Sequence, residues 1–201
     1  MLLGTEGTFG LMTEVLKYSQ FNTEDILVRL GLHERLGCCA EVGAADGLRI
    51  SNTAWLVKDC GWRGWFVEKG DYNIKANYPK ENVVVHARME ATPENINDLL
   101  PSGLDLLSID IDGNDYHIWN AYEGAPPVVI IEFNPTKGLE EYIMPYKKGY
   151  DRKASKEGRD EYGASLKSLV RLGRDKGYTL YDIDGVNAFF IRRGWCGTHN
   201  S

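Results

Sequence analysis

The 201-residue chain has no apolar run near the roughly 20 residues that a membrane-crossing helix needs, so no such helix is expected. Its start, Met1–Gln20, lacks a basic segment followed by an apolar one, so no secretory signal is expected. Cysteine is scarce. Cys38, Cys39, Cys60 and Cys196 make no CxxC pair and no metal-ligand spacing, and the adjacent Cys38 and Cys39 lie in an apolar run where buried thiols belong. A reducing, cytoplasmic setting is expected. Positive charge is also in deficit, with 23 Lys+Arg against 29 Asp+Glu and a net charge of -6, which argues against a protein living on bulk nucleic acid. There is no repeat of fixed period, no low-complexity tract and no sign of a second domain. One domain over 1–201 is expected, since a single core can grow to roughly 250 residues.

What is present is alternation. A lead-in over 1–37 contains one amphipathic helix, Asn22–Leu36, with acids in its first turn. Seven short apolar runs follow and read as strands: Cys38–Val42, Gly64–Glu68, Val83–His86, Leu104–Ile111, Val128–Phe133, Tyr178–Ile183 and Val186–Ile191. Helices are predicted between them at Thr53–Cys60, Tyr72–Tyr78, Pro93–Leu100, Asn114–Ala121 and Ser165–Lys176. Strands separated by helices argue for an α/β fold: a mostly parallel sheet covered on both faces. Only Asp184 and Gly185 separate the last two runs, which suits an antiparallel hairpin. The stretch 137–162 breaks the pattern and is either a surface insertion or a lid over a site.

In such a sheet ligands bind beyond the carboxyl ends of the strands, where strand order reverses. The first exit reads Glu41-Val42-Gly43-Ala44-Ala45-Asp46-Gly47, followed by Ser51-Asn52-Thr53 opening a helix. Its glycines permit a tight turn and close backbone approach to a ligand, although it is not the GxGxxG fingerprint. Glu68, then Lys69, follows the second strand about 20 residues later, the place from which an acid accepts from two ribose hydroxyls. Arg88 and Met89 follow the third strand, where an aromatic base has room. After the fourth comes Ser108-Ile109-Asp110-Ile111-Asp112-Gly113-Asn114-Asp115, with Asp110 and Asp112 on one face and Asn114 or Asp115 suited to cap the next helix. After the fifth come Glu132 and Asn134, again on one face. Asp110, Asp112, Glu132 and Asn134 offer the oxygen ligands that Mg²⁺ takes, and His117 is a candidate base.

These residues, in this order, resemble the class I S-adenosylmethionine-dependent methyltransferases, and most closely the FkbM-like group, over about Cys38 to Arg193. The resemblance implies a three-layer Rossmann-like fold, with a seven-stranded sheet whose last strand is antiparallel. It implies that Gly43, Ala44 and Asp46 cradle the methionine part of S-adenosylmethionine, that Glu68 holds the ribose and that Arg88 or Met89 lies by the adenine. Many class I enzymes have glycine where this chain has Ala45, so the turn is narrower here. The family's substrates imply O-methylation of a hydroxyl on a sugar or other small molecule. Some members hold a divalent ion with carboxylates and an amide from the fourth and fifth strand ends. Asp110, Glu132 and Asn134 are similar, with Phe133 interrupting the usual adjacent acid–amide pair. Without an ion, the carboxylates would be compensated by the sulfonium and the acceptor's hydroxyls. Lys147, Lys148, Arg152, Lys153, Lys156 and Arg159 in the insertion would favour an anionic acceptor.

Two other readings compete. Asp110-Ile111-Asp112-Gly113 looks like the nucleophile loop of haloacid-dehalogenase-type phosphatases, but that loop ordinarily opens its fold and here two β/α units precede it. The other is a methyltransferase-fold binding or scaffold protein without turnover.

Overall fold

The computed structural model describes residues 17–154 and 160–197, and all seven strands form. They are β1 (Cys38–Val42), β2 (Arg63–Glu68), β3 (Val83–Ala87), β4 (Leu106–Ile109), β5 (Val128–Glu132), β6 (Tyr178–Asp184) and β7 (Asn187–Arg192). β4 is shorter than its apolar run: the Asp110 N–H still bonds the Val42 carbonyl, but the chain then turns away and Asp112 takes a left-handed φ of 59°. The helices are α1 (Thr23–Arg29), α2 (Ala54–Lys58), α3 (Ile96–Leu99), α4 (Asp115–Ala121) and α5 (Leu166–Asp175).

The helices are mostly shorter than predicted, for local reasons. The single helix expected over Asn22–Leu36 ends at α1, because Gly31 takes a φ of 69° and a 3-10 turn, Leu32–Glu34, follows. The helix expected over Tyr72–Tyr78 is a 3-10 turn, Ile74–Asn77, seated by the buried side chains of Ile74 and Tyr78. The helix expected from Pro93 begins only at Ile96, since the Asn95 side chain accepts from the Thr92 N–H and donates to the Glu90 carbonyl.

The sheet order is β3-β2-β1-β4-β5-β7-β6. Strands β1 to β5 pair in parallel, and β7 lies antiparallel between β5 and β6, so the mostly parallel sheet with an antiparallel hairpin is present. Gly185, with a φ of 61°, makes the hairpin turn. Order reverses between β1 and β4, which puts the switch point at Val42–Gly43 and Ile109–Asp110. Each face of the sheet carries its own core. Trp119 of α4 and Leu169 and Leu172 of α5 pack with Val129, Ile131 and Phe190 on one side. Ile26 and Leu27 of α1, Leu56 of α2 and Trp62 pack with Phe66, Leu106, Ile130 and Phe189 on the other. Alternate residues of each strand feed alternate cores. Among the described residues no helix is long and apolar enough to cross a membrane, and all four cysteines are free thiols.

The segment 137–162 is tied back to the sheet. Asn134 N–H donates to the Ala164 carbonyl at 2.8 Å, and Ile143 bridges Ala164 antiparallel. Ser165 caps α5 through its hydroxyl, which accepts from Ser168 N–H at 3.2 Å and from Tyr142 N–H at 3.2 Å. Replacing Ser165 by alanine therefore removes a cap and an anchor of the insertion together. Ser165→Ala should lose about 1–2 kcal/mol in urea denaturation, with an unchanged far-ultraviolet spectrum of the folded state; a midpoint equal to the parent's would contradict this.

Candidate active site

Gly43 takes a φ of 89°, and a Cβ built on it would stand 1.7 Å from the Asp110 carbonyl oxygen. Only a residue without a side chain lets the exits of β1 and β4 close this tightly. Next to it, the Glu68 carboxylate spans two backbone segments: Oε2 accepts from Ala45 N–H at 2.7 Å and Oε1 from Gly70 N–H at 2.6 Å. The Glu68 bond fixes Ala45 at a φ of 47°, a conformation that L side chains adopt rarely. A cavity of about 330 Å³ opens over this turn. Gly43, Ala45, Glu68, Tyr72 and Met89 line it together with Asp110 from the β4 exit. Its volume falls within the range of about 300–1,000 Å³ common to small-molecule sites.

The other expected cofactor residues divide. Met89 and Lys69 line the cavity, with Lys69 Nζ donating to the Tyr150 carbonyl at 3.1 Å. Ala44 is buried against the core on the α1–α2 face. Arg88 instead forks onto exposed Asp71, at 3.0 and 2.6 Å, and is not among the cavity's lining residues. Asp46 braces its own turn by accepting from Leu48 and Arg49 N–H. Glu41 is buried behind the turn, where it accepts from Ser51 Oγ at 2.5 Å, Thr53 Oγ1 at 2.8 Å and Asn52 N–H at 2.8 Å. Glu41, Ser51, Asn52 and Thr53 therefore support the turn from behind rather than line the cavity. Burial pushes the Glu41 carboxyl up to about 7, although three donors oppose that shift.

On the β4 and β5 side, Asp110, Asp112 and Glu132 bring carboxylate oxygens within 4.8 Å of one another. Burial, then the charge of Asp112, raises Asp110 to about 6. Burial, then Asp110, drives Glu132 to about 10, so Glu132 carries a proton at neutral pH. Its Oε2 is buried without a hydrogen-bond partner. Arg152 reaches in from the insertion, 3.1 Å from Asp112 Oδ1 and 3.9 Å from Glu132 Oε1. Tyr150 and Lys153 of the same segment also line the cavity, while Lys148 is exposed and Lys156 and Arg159 lie outside the described residues.

Two expected site residues need correction. Asn134 is fully buried, and its amide is already spent: Nδ2 donates to the carbonyls of Asp160 and Tyr162, and Oδ1 accepts from Thr136 N–H and Oγ1. A divalent ion held by Asp110, Glu132 and Asn134 does not fit this arrangement. His117 does not line the cavity; its Nε2 meets the Met144 carbonyl at 2.7 Å and so carries the proton there, clasping α4 to the insertion. Asn114 clasps the same segment through the Lys147 backbone, with bonds of 2.8 and 3.2 Å. Asp115 holds the loop after β4 by accepting from Ile111 and Gly113 N–H, each at 2.8 Å, and burial raises it to about 7. Tyr72, Glu90 and Tyr150 are cavity residues that no spacing in the sequence singles out.

No known family model matches the sequence, and no curated protein sequence matches it. Solved structures do match in shape. A protein of Galdieria sulphuraria assigned as a sarcosine dimethylglycine methyltransferase is 14% identical with a TM-score of 0.52, over 80% of this chain and 61% of that one. The chain shares that methyltransferase's Rossmann-like fold, a mostly parallel seven-stranded sheet with an antiparallel hairpin. A Lactococcus lactis protein assigned as a hemolysin is 15% identical with a TM-score of 0.51, over 85% of both chains. The S-adenosylhomocysteine-bound form of CalO1, a methyltransferase of calicheamicin biosynthesis, is 15% identical with a TM-score of 0.46, over 83% of this chain and 52% of its own. The chain thus spans between half and two thirds of the length of these two methyltransferases.

The raised carboxyls have a thermodynamic consequence. Glu41 rises from 4.5 to about 7 and Asp115 from 3.8 to about 7, so in that window the folded chain holds protons that the unfolded chain has released. Stability is therefore greatest at the acid end of the window and falls as pH rises towards 7, and Glu132, raised to about 10, extends the fall beyond it. Urea midpoints should drop between about pH 5 and about pH 8, and the drop should shrink in Glu41→Gln, where one of the titrating groups is gone. A midpoint that rises over this range would contradict the assignment.

Proposed function

We propose that the protein is an S-adenosylmethionine-dependent methyltransferase acting on a hydroxyl of a small molecule, with a sugar as the leading class. One observation carries the reading: Glu68 bridges the Gly43–Ala45 turn at the switch point, and all three line one cavity. The fit is chemical as well as spatial. Each Glu68 oxygen accepts one backbone N–H and keeps a lone pair for a ribose hydroxyl. Tyr72 and Met89 supply the apolar wall that an adenine needs.

The cofactor supplies a methyl group already activated on a sulfonium. The chain is left to bind, align and remove a proton. Asp110 is the residue for that proton, because it faces the cavity from the β4 exit and its raised carboxyl stays largely ionised at neutral pH. Glu132, protonated beside it, adds no charge to those of Asp110 and Asp112, and Arg152 meets the latter. Tyr150 and Lys153, on the insertion, cover the acceptor side and limit water. Lys153 and Lys69 in the walls support an acceptor carrying negative charge.

Calorimetry with S-adenosylhomocysteine tests the cofactor assignment. The parent should bind, and Glu68→Ala should lose about 2–4 kcal/mol of affinity, the scale of hydrogen bonds to a charged group. Equal affinity in the two proteins removes the assignment. Turnover tests the chemistry. With a pool of hydroxylated acceptors, the parent should generate S-adenosylhomocysteine, and Asp110→Asn should slow this by roughly 10²–10⁴-fold while still binding the cofactor product. Parental rates in Asp110→Asn place the base elsewhere. Binding without any turnover by the parent points to a scaffold.

A further inference from the structure

Asp110, Asp112 and Glu132 converge within 4.8 Å, and with Glu132 protonated two carboxylate charges remain to be compensated. Arg152 enters this cluster as its counter-charge. Its Nη1 bonds Asp112 Oδ1 at 3.1 Å and approaches Glu132 Oε1 to 3.9 Å, and its guanidinium carbon lies 3.4 Å from the centroid of the Tyr162 ring. Tyr162 is itself buried, and its carbonyl accepts from Asn134 Nδ2 at 2.9 Å. The Asn134 oxygen that could ligate an ion is taken by Thr136, and the segment that carries the guanidinium in holds the other end of the amide, Nδ2. Glu132 is 7% exposed; its Oε2 has no hydrogen-bond partner, and its carboxyl is in hydrogen-bond contact with Asp110.

We propose that Arg152 is the resident cation of the Asp110–Asp112–Glu132 cluster and excludes divalent ions from it. Stacked on Tyr162, the planar guanidinium is held at a fixed height over the acids. It spans Asp112 and Glu132 and leaves Asp110 facing the cavity. In turnover it is a positioning residue, and that part rests on the methyl-transfer reading. The exclusion of metal does not.

Mn²⁺ is the probe, read by calorimetry and by the paramagnetic signal of the free ion. The wild-type protein and Arg152→Lys should take up no Mn²⁺ at this cluster. Arg152→Ala and Arg152→Gln, which remove the charge and expose three oxygen ligands, should bind it roughly tenfold or more tightly than the wild type. Adding Asp112→Asn to either should abolish the gain. The glutamine variant keeps a side chain near Tyr162, so a folding defect in the alanine variant does not end the test. Wild-type turnover should be indifferent to a chelator, fall in Arg152→Ala and recover in Arg152→Lys. Mn²⁺ bound by the wild type and lost in Asp112→Asn overturns the proposal, as does equal Mn²⁺ affinity in the wild type and both neutral variants. S-adenosylhomocysteine calorimetry on the wild type separates the two ideas: Mn²⁺ uptake that appears only on loss of Arg152 upholds the proposal even where the cofactor product fails to bind.

Discussion

The structure turns on the contact between Gly43 and the Asp110 carbonyl. At the switch point the exits of β1 and β4 close until no side chain fits between them, a Cβ on Gly43 standing 1.7 Å from that oxygen. Pairing in the sheet sets this up, because Glu41 lies beside Ser108 and Val42 beside Ile109, and the Asp110 N–H continues the ladder to the Val42 carbonyl at 2.9 Å. A side chain at position 43 would push the two exits apart. Ala45 would then leave Glu68, and Asp110 would no longer share a cavity with either.

Around that corner the chain buries several carboxylates and compensates each one differently. Glu41 is surrounded by two hydroxyls and one backbone N–H. Asp115 draws on two backbone N–H groups of the loop it braces. Glu68 stays at the cavity surface and spends its oxygens on Ala45 and Gly70. Glu132 has the least compensation, with Arg152 at 3.9 Å and Oε2 unbonded, and it is the group whose proton affinity rises furthest among these acids. Desolvation costs more than distant charges return, so the acid with the fewest donors keeps its proton. The gradient follows the number of donors that reach each acid.

The insertion reaches the site through unrelated clasps. His117 meets Met144, Asn114 meets Lys147, Gly149 N–H donates to Glu90, and Arg152 bonds Asp112. The partners lie on α4, on the loops after β3 and β4, and within the insertion itself. A segment with little apolar periodicity can thus be ordered by polar contacts with parts of the chain distant in sequence.

Alternation of short apolar runs with polar breaks was enough to place seven strands, since period-two burial on a two-faced sheet leaves a strong local signature. It also placed Gly43, Glu68, Asp110 and Glu132 at strand exits, because in an open α/β sheet the site lies there whatever the chemistry. Helix lengths were less legible, as Gly31 and Asn95 end or delay helices through backbone geometry and side-chain bonds that compete with propensity. The roles of individual site residues were decided only by tertiary structure. Nothing local in Glu41-Val42-Gly43 says that Glu41 turns to Ser51 and Thr53, and nothing in Phe133-Asn134 says that the amide is taken by Asp160 and Tyr162. Arg152 is one cation among several in its stretch until Tyr162 and Asp112 hold it over the acids. A strand's periodicity is written in consecutive residues, whereas a buried polar group is defined by whichever distant donor reaches it first.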